Sequence, residues 1–404
     1  MKQIYLFNEE SRASVYGIGT YIRQLIACLK NREDISLNVV LLNSEEKEFA
    51  KVTKDGYTLY YFPFAETSVY EDKYYRNIGF LWMTNIQIVP DEPLIFHFNY
   101  TWEYPFIQFL KENYPAANLL FTIHYQKWSF SLRGNAGCLR DVLSMRNKCL
   151  EEEDKKILLT DLEEETRLYL SVDKLICLSR FTKNILNEVY KIPEEKIALV
   201  YNGMEDEVSR MPLSATADLR RKFFFNETDK ILVYVGRLDE IKGLSCIIEA
   251  FKKVAEVCPE GRLAIVGDGD FGKYLKACAP YWNKITFTGF LDKENLYALY
   301  RLADAGIMLS FHEQCSYVAI EMMMFGLPVV STDSTGLDEM FPDSLLKLRV
   351  YYEDKNAFLS VDECKEKILQ AFQCPESVRQ TNRKLYLEKY TLEKMTEGMD
   401  GLYV

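Results

Sequence analysis

Histidines and closely spaced cysteines, which often hold metal ions, are scarce in this chain of 404 residues. Its three histidines, His97, His124 and His312, lie too far apart in sequence to form a helical metal-binding pair. The ten cysteines are scattered, and no two have Cys-x-x-Cys spacing. We therefore predict no metal site and no disulfide framework, and we expect most cysteines to be buried thiols in a reducing compartment.

Long apolar runs and an excess of basic residues are also missing. No apolar stretch approaches the roughly 18 residues that cross a bilayer, and the opening MKQIYLFNEE lacks the apolar core of a signal peptide. The formal net charge is −11, and neither half of the chain is basic overall, which argues against nucleic acid as the main partner. We expect a soluble, cytoplasmic protein, for which peripheral contact with a membrane surface stays open.

Hydrophobic residues make up 48% of the chain and occur in short runs separated by helical patterns. One series of runs is IYLF (4–7), LNVVLL (37–42), LIFHF (94–98), LLFTI (119–123), KLICL (174–178) and KIALVYNG (196–203). A second is KILVYVG (230–236), RLAIVG (262–267), KITFTG (284–289), AGIMLS (305–310) and LPVVST (327–332). Such alternation predicts two α/β domains with parallel sheets, joined by the polar linker 205–228, with ligands at the carboxyl ends of the strands.

The segment SFHEQCSYVAIEMMMFGLPVV (310–330) carries two glutamates around a predicted helix start. Ser316 is a suitable N-cap, which places Glu313 in the preceding loop and Glu321 more than one turn into the helix. The free amides near Ser316 and Tyr317 would form an anion site. Carboxylates beside such a site suit the hydroxyl groups of a sugar and a ribose; the alternative is a surface glutamate and an ordinary helix glutamate.

Two basic residues follow the first strand of the second series, in GRLDEIKG (236–243). Arg237 and Lys242 could together neutralise a diphosphate leaving group, the arginine by bidentate hydrogen bonds and the lysine as a point charge. The alternative is a pair of exposed basic residues in an ordinary loop.

The segment VGDGDFG (266–272) matches the G-x-G-x-x-G pattern of dinucleotide sites. That pattern belongs to the first βα turn of a domain, whereas this match follows the second strand. We favour a tight turn that lets a nucleotide base approach the backbone. A dinucleotide-dependent oxidoreductase is one alternative, and a metal bound by the Asp-x-Asp within the segment is another.

The first series offers weaker signals. In YGIGTYI (16–22), Gly17 and Gly19 would let a phosphate or sugar approach the backbone, or would form a simple turn. His124 ends a strand and is expected to face the ligand. His97 lies within a strand and is expected in the core.

In their order along the chain, these motifs resemble glycosyltransferase family 4, a family of retaining GT-B enzymes. The matching segments are YGIGTYI, FTIHY, VYNGM, VGRLDEIKG, IVGDGD, FTGFLD and HEQCSYVAIEMMMFGLPVV. The resemblance implies two Rossmann-like α/β domains facing each other across a cleft. Residues 1–204 would bind the acceptor, joined by a C-terminal helix at about 386–404, and residues 205–385 would bind a nucleotide sugar.

The resemblance also implies roles for the matching residues. The catalytic side chains would be His124, Arg237, Lys242 and Glu313. The donor-binding positions would be Gly19, Gly267, Phe290, Cys315, Ser316, Tyr317 and Glu321. Among them, Glu321 would bind the ribose and Glu313 the donor sugar, while the backbone near Gly267 would meet the base.

Two features depart from the family. Gln314 stands where many members have glycine, which would alter the preference for the donor sugar. The segment 126–170 separates His124 from the strand KLICL, and HYQKWSFSLRGN at its start looks like a bacterial subgroup sometimes linked to peptide modification. We expect this segment to shape the choice of acceptor through Trp128, Arg133 and Arg140.

By this resemblance, the reaction is a retaining transfer from a nucleotide-diphosphate sugar, with UDP or GDP favoured. The leaving diphosphate would deprotonate the acceptor, so that no enzyme base is needed, while cationic side chains and helix amides would hold the diphosphate without a metal or a cofactor. The acceptor class is left open between a glycan, a lipid-linked glycan, a small molecule and a peptide. An NAD(P)-dependent oxidoreductase and a non-catalytic nucleotide-sugar-binding subunit are the alternative functions.

Overall fold

The structure, a computed structural model, describes residues 1–10, 17–63, 71–144, 149–208 and 216–403, without the side chains of 71–76 and 216–217. Tyr16 and residues 209–215 of the expected linker lie outside the described residues. The chain divides into two compact units. Unit 1 contains Met1–Gln126, Leu159–Met204 and Leu392–Val404; unit 2 contains Lys127–Leu158 and Glu205–Thr391.

Unit 1 is built on one sheet of eight strands. In chain order they are β1 (Lys2–Glu9), β2 (Ile35–Ser44), β3 (Ala50–Lys54), β4 (Tyr57–Pro63), β5 (Leu94–Phe98), β6 (Asn118–Ile123), β7 (Lys174–Cys177) and β8 (Ile197–Leu199). Their order in the sheet is β3-β4-β2-β1-β5-β6-β7-β8. Only the β3–β4 pair is antiparallel among these described strands.

Unit 2 is built on a six-stranded parallel sheet. Its strands are β9 (Lys230–Val235), β10 (Gly261–Val266), β11 (Ile285–Gly289), β12 (Ala305–Met308), β13 (Val329–Thr332) and β14 (Lys347–Leu348). Their order is β11-β10-β9-β12-β13-β14. A separate antiparallel hairpin pairs β15 (Tyr351–Glu353) with β16 (Asn356–Phe358).

Sixteen α-helices occur in the described residues. They are α1 (Gly17–Leu29), α2 (Glu71–Asn85), α3 (Tyr104–Asn113), α4 (Lys127–Ser131), α5 (Ala136–Leu143), α6 (Glu152–Ser171), α7 (Arg180–Glu188), α8 (Thr216–Lys222), α9 (Leu244–Val257), α10 (Phe271–Ala277), α11 (Lys293–Leu302), α12 (Tyr317–Met324), α13 (Thr335–Met340), α14 (Val361–Ala371), α15 (Glu376–Lys389) and α16 (Leu392–Asp400). None of these helices has both the length and the apolar character to cross a membrane.

The helices follow the apolar spacing of the sequence. In α9, Leu244, Ile247, Phe251 and Val254 recur at intervals of three or four residues and are all fully buried in the core of unit 2. In α1, Ile18, Ile22, Leu25 and Leu29 are buried in the same way. The predicted architecture of two Rossmann-like α/β domains is confirmed.

The division of the chain differs from the predicted domain limits in two places. Residues Lys127–Leu158 belong to unit 2, although we assigned them to the N-terminal domain. Asn135 Nδ2, for example, donates to the carbonyl of Asp354 at 3.0 Å. Towards the end of the chain, unit 1 resumes at Leu392 rather than near 386. Neither change of unit coincides with a break in composition, so neither could be predicted from sequence patterns.

One cysteine pair also departs from expectation. Cys138 and Cys149 form a disulfide within unit 2, whereas the other eight cysteines are thiols. Their separation of 11 residues is not diagnostic of a bridge, because it does not show that Cys149 lies against α5.

Candidate functional site

The loops at the carboxyl ends of β9 and β12 bring together charged and polar side chains of unit 2. The two strands are neighbours, but the sheet continues from them in opposite directions along the chain. Loops diverge at such a switch point and leave room for a ligand. The loop after β9 contains Arg237 and Lys242, and the loop after β12 contains Ser310 and Glu313.

An ion pair joins these two loops. Lys242 Nζ contacts Glu313 Oε1, which also accepts a hydrogen bond of 2.9 Å from Ser310 Oγ. Their side chains are only 22% and 16% exposed, so the reading of Lys242 as an exposed loop residue is wrong. Burial raises the pKa of the Glu313 carboxyl, but Lys242 and Ser310 outweigh this effect and hold the pKa below its usual range.

The backbone of Glu313 is held as firmly as its side chain. Its N–H donates to Thr335 Oγ1 at 2.9 Å, and its carbonyl accepts from that hydroxyl at 2.8 Å and from Gly336 N at 2.9 Å. A Cβ on Gly336 would lie 1.8 Å from the carbonyl oxygen of Gln314, so only glycine fits there. The carboxylate therefore projects from a fixed backbone position.

Arg237 supplies a second cation in the same loop as Lys242. Its guanidinium is about one-third exposed and lies 3.6 Å from Asp239 Oδ2. The Tyr234 hydroxyl donates to the Arg237 carbonyl at 2.5 Å and fixes the backbone there. Lys242 itself closes a short 3₁₀ helix, Glu240–Lys242, that Gly243 ends in a left-handed conformation. The loop thus presents one accessible and one shielded positive charge.

Glu321 lies inside α12, as predicted, and is almost fully buried. Tyr300 donates to its Oε2 at 3.1 Å. Burial raises the pKa of Glu321 to about 7, although the hydrogen bond from Tyr300 opposes the shift. Ser316 is the N-cap and accepts from Ala319 N at 3.4 Å, which confirms that prediction. Cys315 and Tyr317, on either side of it, are buried.

The glycines of VGDGDFG are required by the backbone of the protein itself. A Cβ on Gly267 would lie 1.9 Å from the carbonyl oxygen of Gly236, and one on Gly269 would lie 2.6 Å from that of Leu238. These contacts bring the turn after β10 against the loop after β9, and they account for both glycines without a dinucleotide. Phe290, after β11, is 73% exposed.

The Asp-x-Asp of this turn is engaged in local hydrogen bonds. Asp268 accepts from Gly269 N at 2.8 Å, and Asp270 caps α10 by accepting from Lys273 N at 3.1 Å. Within the described part of the chain, no group of three or more His, Cys, Asp or Glu could hold a metal ion.

In unit 1, the residue of interest is His124, which follows β6. Its Nε2 lies 2.9 Å from Asn99 Oδ1, and its ring packs edge-on against Tyr21 at 4.7 Å between centroids. The Asn99 amide is oriented by its Nδ2, which donates to the carbonyl of Phe7 at 2.9 Å. Asn99 Oδ1 must then accept, so we assign the proton of His124 to Nε2 and an acceptor lone pair to Nδ1.

Burial keeps this imidazole neutral, because it lowers the pKa of His124 to about 3. His97 is fully buried, as expected, between the hydroxyls of Tyr403 and Thr122 at 2.8 and 2.7 Å. Gly19 is buried in the first turns of α1.

The three side chains expected to meet the acceptor lie in unit 2 instead. Trp128 is completely buried, with its ring 6.3 Å from that of His312. Arg133 is half-buried and Arg140 exposed. Because it is buried, Trp128 could influence the acceptor only through the residues that it packs against, and the role of the three side chains in the choice of acceptor stays a prediction.

Sequence reasoning missed several residues that build the two regions: Asn99, Tyr300, Ser310, His312 and Thr335. Asn99 directly follows β5 and Ser310 comes two residues after β12, so the rule of carboxyl strand ends could have identified them. Tyr300 and Thr335 become partners of the two glutamates only through packing, and no motif marks them.

Comparison with known proteins identifies the chain as similar to glycosyltransferases. The model of "Glycosyltransferase Family 4" matches residues 15–208, and that of "Glycosyl transferases group 1" matches residues 216–386. A sucrose-phosphate synthase from Thermosynechococcus elongatus superposes with a TM-score of 0.73 at 18% identity, covering 100% of this chain and 98% of that one. The Anabaena protein HepE, solved with UDP and glucose, gives 0.70 at 14% identity and covers 99% and 98%.

Two curated relatives are similar in sequence. A glycosyltransferase of Methanocaldococcus jannaschii is 27% identical over 235 residues, 57% of this chain and 59% of that protein. Mannosylfructose-phosphate synthase of Agrobacterium fabrum is 28% identical over 188 residues, 44% and 41%. The chain thus spans about half the length of these relatives. Its fold is that of the GT-B glycosyltransferases, and with matching models along most of its length it belongs to glycosyltransferase family 4.

Proposed function

We propose that this chain is a retaining glycosyltransferase that moves a sugar from a nucleotide-diphosphate sugar, most suitably a UDP- or GDP-sugar, to an acceptor. The observation that carries the proposal is the Lys242–Glu313 ion pair, beside Arg237, at the switch point of unit 2. It combines cations that suit a diphosphate with a carboxylate that suits sugar hydroxyls.

The two cations act on the leaving group. An ammonium has three N–H donors, so Lys242 can hold Glu313 and still donate to phosphate oxygens. Arg237, on the same loop and more exposed, can form a fork of two hydrogen bonds to the diphosphate. Positive charge fixed where negative charge develops lowers the barrier, because the protein has little to reorganise during the reaction.

The two carboxylates divide the hydroxyl groups of the donor between them. Glu313 remains ionised because its pKa is depressed, so it can accept hydrogen bonds from the transferred sugar. Glu321, inside α12, accepts from the ribose hydroxyls, and the amides of Cys315, Ser316 and Tyr317 face the sugar or phosphate. Phe290 and the backbone at Gly267 meet the base.

Unit 1 contributes a neutral acceptor rather than an acid. With its proton on Nε2, His124 offers Nδ1 to a hydroxyl hydrogen of the transferred sugar. The same assignment means that His124 does not serve as a general acid near neutral pH. Gly19 lets the diphosphate approach the backbone of α1 closely.

The transfer proceeds on the face of the sugar from which the diphosphate departs. The bond between the anomeric carbon and the phosphate oxygen breaks as the acceptor oxygen bonds to that carbon. The departing phosphate oxygen takes the proton of the acceptor hydroxyl. The anomeric configuration is then retained, and no protein base is required. The contribution of the chain is orientation and charge stabilisation. The acceptor is a glycan, a lipid-linked glycan, a small molecule or a peptide, in the cytoplasm or at a membrane surface.

The test is a donor panel of UDP-, GDP- and ADP-sugars, assayed for hydrolysis and for transfer to acceptors of each class. We expect release of one nucleoside diphosphate, unchanged by EDTA, and a product whose anomeric proton has the configuration of the donor by NMR. Inversion would refute the retaining mechanism. Loss of activity with EDTA that Mn²⁺ or Mg²⁺ restores would refute metal independence. Binding of a nucleotide sugar without turnover under any condition would favour a non-catalytic subunit.

A further inference from the structure

A tight turn within Lys127–Leu158, the segment that belongs to unit 2, packs on the loop that carries Glu313. This turn, Trp128–Gly134, begins in α4 and is closed by backbone bonds from Leu132 N to Trp128 O at 2.9 Å and from Gly134 N to Ser129 O at 2.9 Å. Asn135 then caps α5 by accepting from Cys138 N at 2.9 Å. The turn is therefore a compact element rather than a loose connection.

Gly134 forms the first contact of the turn with the Glu313 loop. Its φ is +78°, and a Cβ there would lie 2.3 Å from the carbonyl oxygen of Phe311 and 3.3 Å from Thr335 Cγ2. Any side chain would push against the backbone two residues before Glu313. Thr335, the second neighbour, is the residue whose hydroxyl holds both the N–H and the carbonyl of Glu313.

His312 forms the second contact. Its ring lies 6.3 Å from Trp128 and 6.2 Å from Phe130, between centroids, and its side chain is buried. Burial lowers the pKa of His312 to about 4, so the ring packs against the turn in its neutral form. The turn thus touches residues 311, 312 and 335, which precede Glu313 or hold it.

We propose that the Trp128–Gly134 turn determines which sugar the protein accepts on its nucleotide donor, by fixing the backbone from which Glu313 projects. The inference rests on the proposed role of Glu313 in binding the transferred sugar. Epimeric sugars differ by the direction of one hydroxyl, so their discrimination requires a carboxylate held within about 0.5 Å. Trp128, Phe130 and Gly134 are positioning residues in this scheme, because they act through Glu313.

The sharpest variant is Gly134→Ala, and the chain offers a closely matched control. Gly56, in the β3–β4 turn of unit 1, has φ +80°, and a Cβ there would lie 2.4 Å from the carbonyl oxygen of Lys30. Gly56→Ala therefore introduces nearly the same strain away from the Glu313 loop. We expect the two variants to lose similar stability in denaturant unfolding.

Only Gly134→Ala should change sugar recognition. Calorimetry would compare the free nucleoside diphosphate with UDP-glucose, UDP-galactose and UDP-N-acetylglucosamine, or with GDP-sugars if guanosine is preferred. We expect unchanged affinity for the free nucleotide, loss of the preference among sugars, and a fall in kcat/KM of about 10²-fold, as for a misplacement of about 1 Å. The same preference in both variants would overturn the inference.

Phe130→Ala provides a milder test that does not strain the backbone. Phe130 is 47% exposed, so its truncation should be tolerated, and Leu143→Ala, at 41% exposure in the same segment, is its control. We expect Phe130→Ala to shift the imidazole NMR signals of His312 and to weaken sugar discrimination in the same direction as Gly134→Ala. A shifted His312 signal with unchanged discrimination would overturn the inference. Failure of the wild type to bind any nucleotide sugar would instead refute the proposed function.

Discussion

The two units hold their candidate site residues in contrasting ways. Unit 2 uses charges: Lys242 against Glu313, with Arg237 near Asp239. Unit 1 uses a neutral network, in which Asn99 orients His124 and burial keeps the imidazole uncharged. A charged site can stabilise a leaving diphosphate, whereas a neutral one can orient a sugar without competing for the phosphate. The difference suggests that loss of charge in unit 2 should cost more activity than loss of one hydrogen bond in unit 1.

The largest effect is expected for Lys242→Ala. Turnover should fall by about 10²–10³-fold, the usual result of removing one donor to a developing charge. The variant removes the cation that pairs with Glu313 and leaves its carboxylate the hydrogen bond from Ser310. The free energy of unfolding should therefore also fall by roughly 1–3 kcal/mol. Single-turnover kinetics and urea unfolding would measure the two effects.

Lys273→Ala is the control for this variant, since Lys273 also pairs with a glutamate, Glu240, but at a half-exposed position. It should change neither stability nor turnover appreciably, as expected for an exposed ion pair. Wild-type turnover in folded Lys242→Ala, with confirmed product, would remove Lys242 from the mechanism.

The next effect separates the two glutamates by their affinity for the free nucleotide. Glu321→Gln should weaken nucleoside diphosphate binding by about 1–3 kcal/mol, since ribose is part of the free nucleotide. Glu313→Gln should bind it almost normally but lose turnover and sugar discrimination. Calorimetric titration of both variants measures this, and the reverse pattern would exchange the two roles.

Glu321 should also make nucleotide affinity depend on pH. Its pKa of about 7 means that the carboxyl is protonated below that value. If the ribose binds the ionised form, binding lowers the pKa, so affinity should rise with pH through about 7. The second ionisation of a phosphate, at roughly pH 6, adds a similar slope, and Glu321→Gln should retain only that part.

The raised pKa of Glu321 also determines how the free energy of unfolding depends on pH. Between the ordinary value of 4.5 and about 7, the folded state binds more protons at Glu321 than the unfolded state does. This residue therefore makes the free energy of unfolding fall as pH rises through that range. Glu321→Gln should remove that contribution, which urea unfolding at several pH values would detect.

Much of the fold followed from the sequence, since strands such as β9 and helices such as α9 are set by local apolar spacing. The charged motifs of unit 2 were also recognisable, because Arg237, Lys242 and Glu313 follow strands that the pattern identifies. Three features were not predictable. They are the packing of Trp128–Gly134 on the loop that carries Glu313, the Cys138–Cys149 bridge and the hydrogen bond of Tyr300 to Glu321. Each depends on tertiary packing that leaves no periodic signal in the sequence.

A smaller effect is expected in unit 1 for Asn99→Ala. The variant removes the acceptor of His124 Nε2–H, so the imidazole should become a mixture of tautomers. One hydrogen bond is worth about 0.5–1.5 kcal/mol, which corresponds to a loss of up to about tenfold in kcat/KM.

Nitrogen-15 NMR of the imidazoles is practical because the chain has three histidines. Asn38→Ala, on β2 with a local bond to the Ser36 carbonyl, is the control. An Nδ1–H tautomer in the wild type would contradict our assignment.

The smallest effect on turnover is expected for Tyr403→Phe, whose hydroxyl lies at the far end of the buried network. The Tyr403 hydroxyl bonds to His97 Nδ1, and Thr122 links the other nitrogen of that ring to Tyr21, which packs on His124. Removing the hydroxyl leaves His97 Nδ1 buried without this partner, so the free energy of unfolding should fall by about 1–3 kcal/mol. Turnover should hardly change, because the ring contact of Tyr21 with His124 does not require the Tyr403 hydroxyl. Tyr351→Phe, at a residue that is 49% exposed, should alter neither quantity. If Tyr403→Phe instead lowers turnover as much as Asn99→Ala does, the whole hydrogen-bond network positions His124. The neutral network of unit 1 would then extend from the strand ends to Tyr403 near the C-terminus.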